Sequence, residues 1–243
     1  MRAIVRTTYG SPDVLELREV EVPMLADDGV LVRVHAASVN RADWYALTGT
    51  PWVGRTAMGL LRPKEHGLGT DFAGTVEAVG KDVSQFRPGD EVFGGRDGAF
   101  AEYVCVRESR AIVPVPAGVA FEEAAAVPVA ALTALQGLRD HGRIQPGQQV
   151  LINGASGGVG TFAVQIAKAL GAEVTGVCST GNVDLVRSIG ADHVIDYTRE
   201  DFTRADRRYD LMLDIAGSRP WSACWRVLNP QATLVLVGAP KGN

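Results

Sequence analysis

Eight consecutive residues, Asn153-Gly154-Ala155-Ser156-Gly157-Gly158-Val159-Gly160, carry the densest chemical signal in the chain. They follow an apolar run, Val150-Leu151-Ile152, and open a helical pattern, as the turn of a dinucleotide-binding βαβ unit does. Ala155 stands at the first glycine position of G-x-G-x-x-G and must allow the tight turn. Gly157 lets the backbone approach a pyrophosphate, and Gly160 lets the helix lie close on the strand. A helix starting there offers unpaired N–H groups to the phosphates. Ser156, Gly158 and Val159 complete the candidate cofactor-binding set. A Gly-rich strand-to-helix turn can also be simple tight packing, and only its surroundings separate the two.

The end of the next apolar run bears on which dinucleotide is held. NAD-specific folds place an acidic residue about 20 residues past the glycines, where it binds the ribose hydroxyls. Here that place reads Val177-Cys178-Ser179-Thr180-Gly181-Asn182, with no carboxylate. The hydroxyls of Ser179 and Thr180 suit a 2′-phosphate, which favours NADPH over NADH.

Elements of matching pattern surround these residues. Val159, Ala163, Ile166, Ala167 and Leu170 recur at helical spacing, and Gly171 stands where a left-handed C-cap is wanted. Strands are expected at 173–177, 193–195, 209–214 and 233–237, with helices at 183–189 and 221–228. With 150–152 these make five strands joined by helical crossovers, which implies a parallel, doubly wound sheet. Before residue 120 the pattern is different. Alternating segments at 30–36 and 74–80, and strands at 91–93 and 99–106, are separated by turns such as Pro88-Gly89-Asp90 and suggest a compact β-barrel-like domain. A single helical stretch is expected over 121–138, with Gln145-Pro146-Gly147 as the turn before the parallel sheet.

Composition narrows the classes. At 243 residues with a net charge of −4, the chain is long enough for two domains and has no basic face for a nucleic-acid partner. Its three cysteines, Cys105, Cys178 and Cys224, form no C-x-x-C pair and read as small thiols in a reducing cytosol. The amino terminus has charges inside its apolar run and no signal-peptide core. The most apolar segment, 124–138, is too short to span a membrane and contains Pro128 and Thr133. A cytoplasmic protein with no membrane association is expected.

Four stretches in order carry a resemblance over nearly the whole chain. They are Gly69-Thr70-Asp71-Phe72-Ala73-Gly74-Thr75-Val76-Glu77-Ala78-Val79-Gly80, then Arg87-Pro88-Gly89-Asp90-Glu91-Val92, then Ala126-Val127-Pro128 with Leu132-Thr133-Ala134, then the glycine turn. Together they resemble the medium-chain dehydrogenase/reductase superfamily, and within it the zinc-independent quinone oxidoreductase (zeta-crystallin-like) branch. The resemblance implies a GroES-like β-barrel catalytic domain over 1–122 and an NAD(P)-binding Rossmann domain over 123–243. It implies Asn40 and Tyr45 as catalytic residues, Asp43 as a loop-fixing residue, and Thr133 and Tyr197 as further cofactor contacts. Trp44 and Trp52 either wall an apolar pocket or pack in the core.

Zinc-dependent relatives carry a cysteine near the position of Asn40 and a Gly-His-Glu where this chain has Gly69-Thr70-Asp71. The cysteine-rich lobe that binds structural zinc is replaced by Phe93-Gly94-Gly95-Arg96-Asp97-Gly98-Ala99, and His66 reads as a loop histidine. No metal is therefore expected. Without a metal to polarise a simple carbonyl, hydride transfer from NADPH needs an acceptor that spreads its developing charge, which points to a quinone or an α,β-unsaturated carbonyl. Members of the family usually continue for several tens of residues past the position of Asn243, with a sixth strand that pairs across a homodimer. The chain accordingly reads as lacking that segment, and a catalytically weak or inactive dinucleotide-binding module is the alternative to an active reductase.

Overall fold

The computed structural model describes residues 1–238, and the chain divides into two compact units, Met1–Val129 and one beginning at Ala130. The expected end of the domain at residues 239–243 lies outside the described residues.

In the first unit, β1 (Arg2–Val5) and β2 (Glu16–Glu19) form an antiparallel ribbon. β3 (Gly29–Ser38) leads into α1 (Arg41–Thr48) and a short α2 (Arg55–Met58). β4 (Asp71–Val79), β5 (Glu91–Gly95), β6 (Tyr103–Arg107) and β7 (Ile112–Pro114) complete an antiparallel sheet ordered β6-β3-β4-β5-β7. Alternation makes these segments strands: Val30, Val32, Phe72, Val76, Val92, Val104, Val106 and Ile112 share one core with Phe86. Burying side chains of this size is worth about 1.5–3 kcal/mol each. Register shifts between Leu31 and Val32 and between Val34 and Ala36 bend the β3–β4 pair. The strand expected from 99 begins only at Tyr103, because Ala99 packs into the core and Ala101 makes an isolated bridge to Ala3.

Arg6, just past β1, breaks the pattern of this core. It is 4% exposed, and its Nε and Nη1 have no hydrogen-bond partner among the described residues. The Tyr9 ring, 5.6 Å from the guanidinium carbon, is its cation–π contact. Burial lowers the Arg6 pKa, yet a guanidinium stays charged in any folded chain. Replacing a poorly compensated buried charge with an apolar side chain of similar reach is often stabilising. Arg6→Met should therefore raise stability by about 1–2 kcal/mol, a melting-temperature increase of a few degrees. A lower melting temperature in the variant would show that the charge is compensated.

The stretch expected as one helix is broken. α3 (Phe121–Ala125) stops, α4 (Pro128–Leu135) restarts at the proline, and wider turns continue over Gln136–His141. Proline has no N–H to give and disfavours helical backbone in the residue before it, so it serves as a first helical residue and ends what precedes it.

The second unit holds β8 (Gln149–Asn153), α5 (Gly158–Ala169), β9 (Glu173–Cys178), α6 (Val183–Ser188), β10 (His193–Asp196), β11 (Tyr209–Asp214), a one-turn α7 (Trp221–Cys224) and β12 (Leu228–Leu236). The five strands are parallel, in the order β10-β9-β8-β11-β12. Successive residues feed opposite faces. Val150, Ile152, Val174, Leu211 and Leu213 pack against Ala163, Val164 and Ala167 of α5 and Val186 of α6. Leu151, Val177 and Met212 pack on the other side against Phe202, Cys224 and Val227. Both faces are thus covered, as a doubly wound sheet requires. The helix expected to reach residue 228 ends at Cys224, a 3-10 turn (Trp225–Val227) replaces its second half, and β12 begins earlier than expected. Cys178 and Cys224 are buried and Cys105 half-buried, all free, and burial pushes the Cys224 thiol up to about 11. No helix among the described residues is long and apolar enough to cross a membrane.

Candidate functional site

In the second unit the glycine turn joins the middle strand, β8, to α5. The left-handed residue is Gly154, at φ +94°, one position before the one the motif suggested. Ala155 instead is fully buried, and its N–H, like that of Gly154, donates to the carbonyl of Val177. Its methyl packs against β9, where a Cβ on Gly176 would come 3.0 Å from it. A side chain at Gly160 would meet the Gly154 carbonyl oxygen at 2.1 Å, so the first turn of α5 lies directly on the loop. Gly157 and Gly158 are exposed, and a Cβ on them would find only ordinary contacts, at 3.6 and 3.8 Å. Gly157 is the N-cap and has no side chain to satisfy the helix, which leaves the first N–H groups of α5 open to an anion. Ser156 and Val159 are half-buried beside it.

The loop is held from below by a buried network. Asn153 Nδ2 donates to Asp214 Oδ1 at 2.8 Å and to Ser218 Oγ at 3.1 Å, and the Gly217 N–H donates to the same Asp214 oxygen at 3.0 Å. Asn153 and Asp214 are register partners at the carboxyl ends of β8 and β11. No local spacing announces this pairing, because the two residues are brought together only by strand order.

At the end of β9, Ser179 is half-buried, accepts from Asn182 Nδ2 at 3.1 Å and keeps its own hydroxyl hydrogen free. Thr180 is not free: its hydroxyl donates to Asp196 Oδ2 at 2.6 Å. Tyr197 follows Asp196, with its ring 53% exposed and its N–H on the Cys178 carbonyl. Thr133 lies half-buried on α4, with no hydrogen bond from its hydroxyl to the helix backbone seen among the described residues.

In the first unit, Asn40 is the N-cap of α1, and its N–H donates to Asp43 Oδ2 at 2.7 Å. Asn40 Nδ2 donates to Ser38 Oγ at 3.0 Å and to Asp71 Oδ2 at 2.9 Å, so both of its hydrogens are committed. Asp71 is fully buried at the start of β4 and also accepts from the Ser38 hydroxyl and the Val129 N–H. The break at Pro128 makes that last bond, by turning the N-terminus of α4 onto the carboxylate. Burial raises the Asp71 and Asp43 carboxyls above the ordinary carboxylate range. Tyr45, one turn along α1, is 36% exposed, with the Arg41 guanidinium 5.2 Å over its ring and no hydroxyl partner among the described residues. Trp44 and Trp52, at 41% and 63% exposed, are not core residues.

The residues at the positions of the zinc ligands bond to protein groups. Asn40 gives one amide hydrogen to Ser38 and one to Asp71, and Asp71 accepts from Ser38, Asn40 and Val129. His66 Nδ1 lies 2.8 Å from the carbonyl of Arg6. Among the described residues no three His, Cys, Asp or Glu side chains are grouped to hold a metal ion.

A glycine turn with an open helix N-terminus on a parallel sheet, following an antiparallel β-unit, defines a class of two-domain proteins with a dinucleotide-binding fold. Comparisons with known proteins agree. Residues 26–117 match the alcohol dehydrogenase GroES-like domain and residues 158–243 the zinc-binding dehydrogenase family. The chain is 40% identical over 235 residues to a trans-enoyl reductase of Aspergillus terreus, covering 88% of this chain and 63% of that protein. It is 36% identical to a chloroplastic quinone oxidoreductase of Triphysaria versicolor, covering 91% of this chain and 70% of that one. The solved Escherichia coli quinone oxidoreductase, complexed with NADPH, is 28% identical with a TM-score of 0.87 over 100% of this chain and 76% of its own. The chain belongs to the medium-chain dehydrogenase/reductase superfamily, in its quinone oxidoreductase-like branch. It spans about three fifths of the length of several relatives, between 57% and 63%.

Proposed function

We propose that this chain binds NADPH through the β8–α5 turn and reduces a quinone or an α,β-unsaturated carbonyl without a metal. The observation that carries the proposal is the contrast within the turn, closed beneath Gly160 and open above Gly157 and Gly158 at an uncapped helix N-terminus. A pyrophosphate fits such a cradle. Ser156, Val159 and the free Ser179 hydroxyl border it, with Thr180 beside Ser179 read from the strand end and Tyr197 and Thr133 as the further contacts assigned by family resemblance. A bound nicotinamide would supply the hydride.

The chain's own groups supply orientation and a proton. Tyr45, with a free hydroxyl, is assigned to hydrogen-bond the acceptor oxygen, where negative charge develops. Asn40, held by Asp71 and Ser38, is assigned to position the start of α1 and so the tyrosine one turn on. The relatives named for enoyl and quinone reduction support conjugated acceptors, whose charge is already delocalised. The homodimer implied by the resemblance and the cytoplasmic location read from the sequence belong to the same proposal.

The test follows NADPH oxidation with a simple enone and a benzoquinone, alongside NADPH binding. Tyr45→Phe should lower kcat by about 10- to 100-fold with little change in NADPH affinity, and joint substitution of Asn40 and Tyr45 should lower it further. Unchanged turnover in both variants would remove these assignments. Binding without any oxidation by the unaltered chain would leave only the dinucleotide-binding module.

A further inference from the structure

The end of β9 carries no carboxylate in sequence, but the fold supplies one from the neighbouring strand. Asp196 is the last residue of β10 and the register partner of Cys178, which places it beside the Ser179-Thr180 pair. Its side chain is 12% exposed, so it is built into the site and does not wave in solvent. Thr180 donates to Oδ2 at 2.6 Å, Thr198 donates to Oδ1 through its hydroxyl at 2.7 Å and its N–H at 3.0 Å, and the two hydroxyl oxygens are 2.8 Å apart. Each hydroxyl has one hydrogen. Both have acceptors within the cluster, on Asp196 or on the neighbouring threonine, so the Thr180 hydroxyl as it stands has no hydrogen left for a phosphate.

Resting on the dinucleotide assignment above, we infer that Asp196 is a specificity-determining residue that opposes the 2′-phosphate and holds NADPH and NADH close in affinity. Two effects act in the same direction. The carboxylate withholds the Thr180 hydrogen, and its negative charge repels a dianionic phosphate. Among the described residues the only cation paired with it is Arg199, with Nε 3.5 Å from Oδ2 on a side chain that is 77% exposed and therefore well screened. A 2′-hydroxyl suffers neither effect, since it can donate to a carboxylate as it does at an acidic strand end. Asparagine at 196 would accept one threonine hydrogen and donate through its amide, which frees a hydroxyl hydrogen and removes the charge together.

The test is titration of the full chain and of Asp196→Asn with NADPH and with NADH, followed by nucleotide fluorescence, with Asp196→Ser as a second variant and thermal melting as a check on folding. The expected result is tighter NADPH binding by about tenfold, the effect of roughly 1.4 kcal/mol, with NADH unchanged or weaker. An unaltered NADPH-to-NADH affinity ratio in a folded variant overturns the inference while leaving the dinucleotide assignment in place. Equal gains for both nucleotides overturn it in the same way. If the unaltered chain binds neither nucleotide, the dinucleotide assignment itself fails and the inference fails with it.

Discussion

Gly160→Ala is expected to weaken NADPH binding by roughly 100-fold, the scale on which an ångström-level misplacement of binding groups is felt. The added Cβ would sit 2.1 Å from the Gly154 carbonyl oxygen and 2.7 Å from the Ala155 carbonyl carbon, both backbone atoms that no side-chain rotation can move. Gly154 is left-handed and Ala155 is packed into the core, so the loop has little freedom to retreat. The helix must lift, and its free N–H groups leave the position that the turn gives them. Overpacking of this kind costs about 1–3 kcal/mol, so the melting temperature should fall as well. Gly157→Ala is the control. Its Cβ meets only the Gly154 oxygen at 3.6 Å, so the variant should fold and melt normally, and a loss of NADPH affinity in it reports the approach of the pyrophosphate to that space. Equal affinities for unaltered chain and Gly160→Ala, by fluorescence titration, would remove the turn from the binding site.

The second large effect is at Asp71. Asp71→Ala removes the acceptor shared by the Ser38 hydroxyl, the Asn40 amide and the Val129 N–H. Leaving buried donors unsatisfied costs about 1–3 kcal/mol each, partly offset by removing a buried charge, so a net loss near 3 kcal/mol is expected. Asn40 also loses its anchor, and turnover should fall with the stability. The pH dependence has a definite sign. Burial raises the folded-state pKa of Asp71, and of Asp43 beside it, above the ordinary value. Between the ordinary and the raised value the folded chain holds protons that the unfolded chain has released. Stability therefore falls as pH rises through that window and levels off above it. Asp71→Ala should reduce that fall, leaving the share due to Asp43. A denaturation series across the acid range in which the variant matches the unaltered chain at every pH would contradict this role.

These two positions differ in how far the sequence revealed them. The parallel unit was legible because each strand and helix carries its own period, and the 209–214 strand and the start of α5 fell within a residue of expectation. The strand–turn–helix at the glycines is legible as a motif, although its left-handed residue is Gly154. The 121–138 stretch misled because its apolar content is continuous. The interruption comes from Pro128 alone, and its use in turning Val129 toward Asp71 is a tertiary fact. In sequence Asp71 stands out only as a departure from a zinc enzyme's pattern. Its partners come from two distant segments, Ser38 with Asn40 and then Val129, and no local spacing announces them. Asp196 was hidden for the same reason. The acidic-residue rule inspects the end of one strand, whereas the carboxylate arrives from the adjacent strand through parallel pairing.

The open N-terminus of α5 is the proposed seat of the pyrophosphate. Amide chemical shifts of the full chain, followed during titration with NADPH, test this residue by residue. The largest saturable shifts are expected at Gly157, Gly158, Val159 and Gly160, with smaller ones at Ser179 and Thr180. Saturable binding that leaves the 154–160 amides unmoved would contradict it.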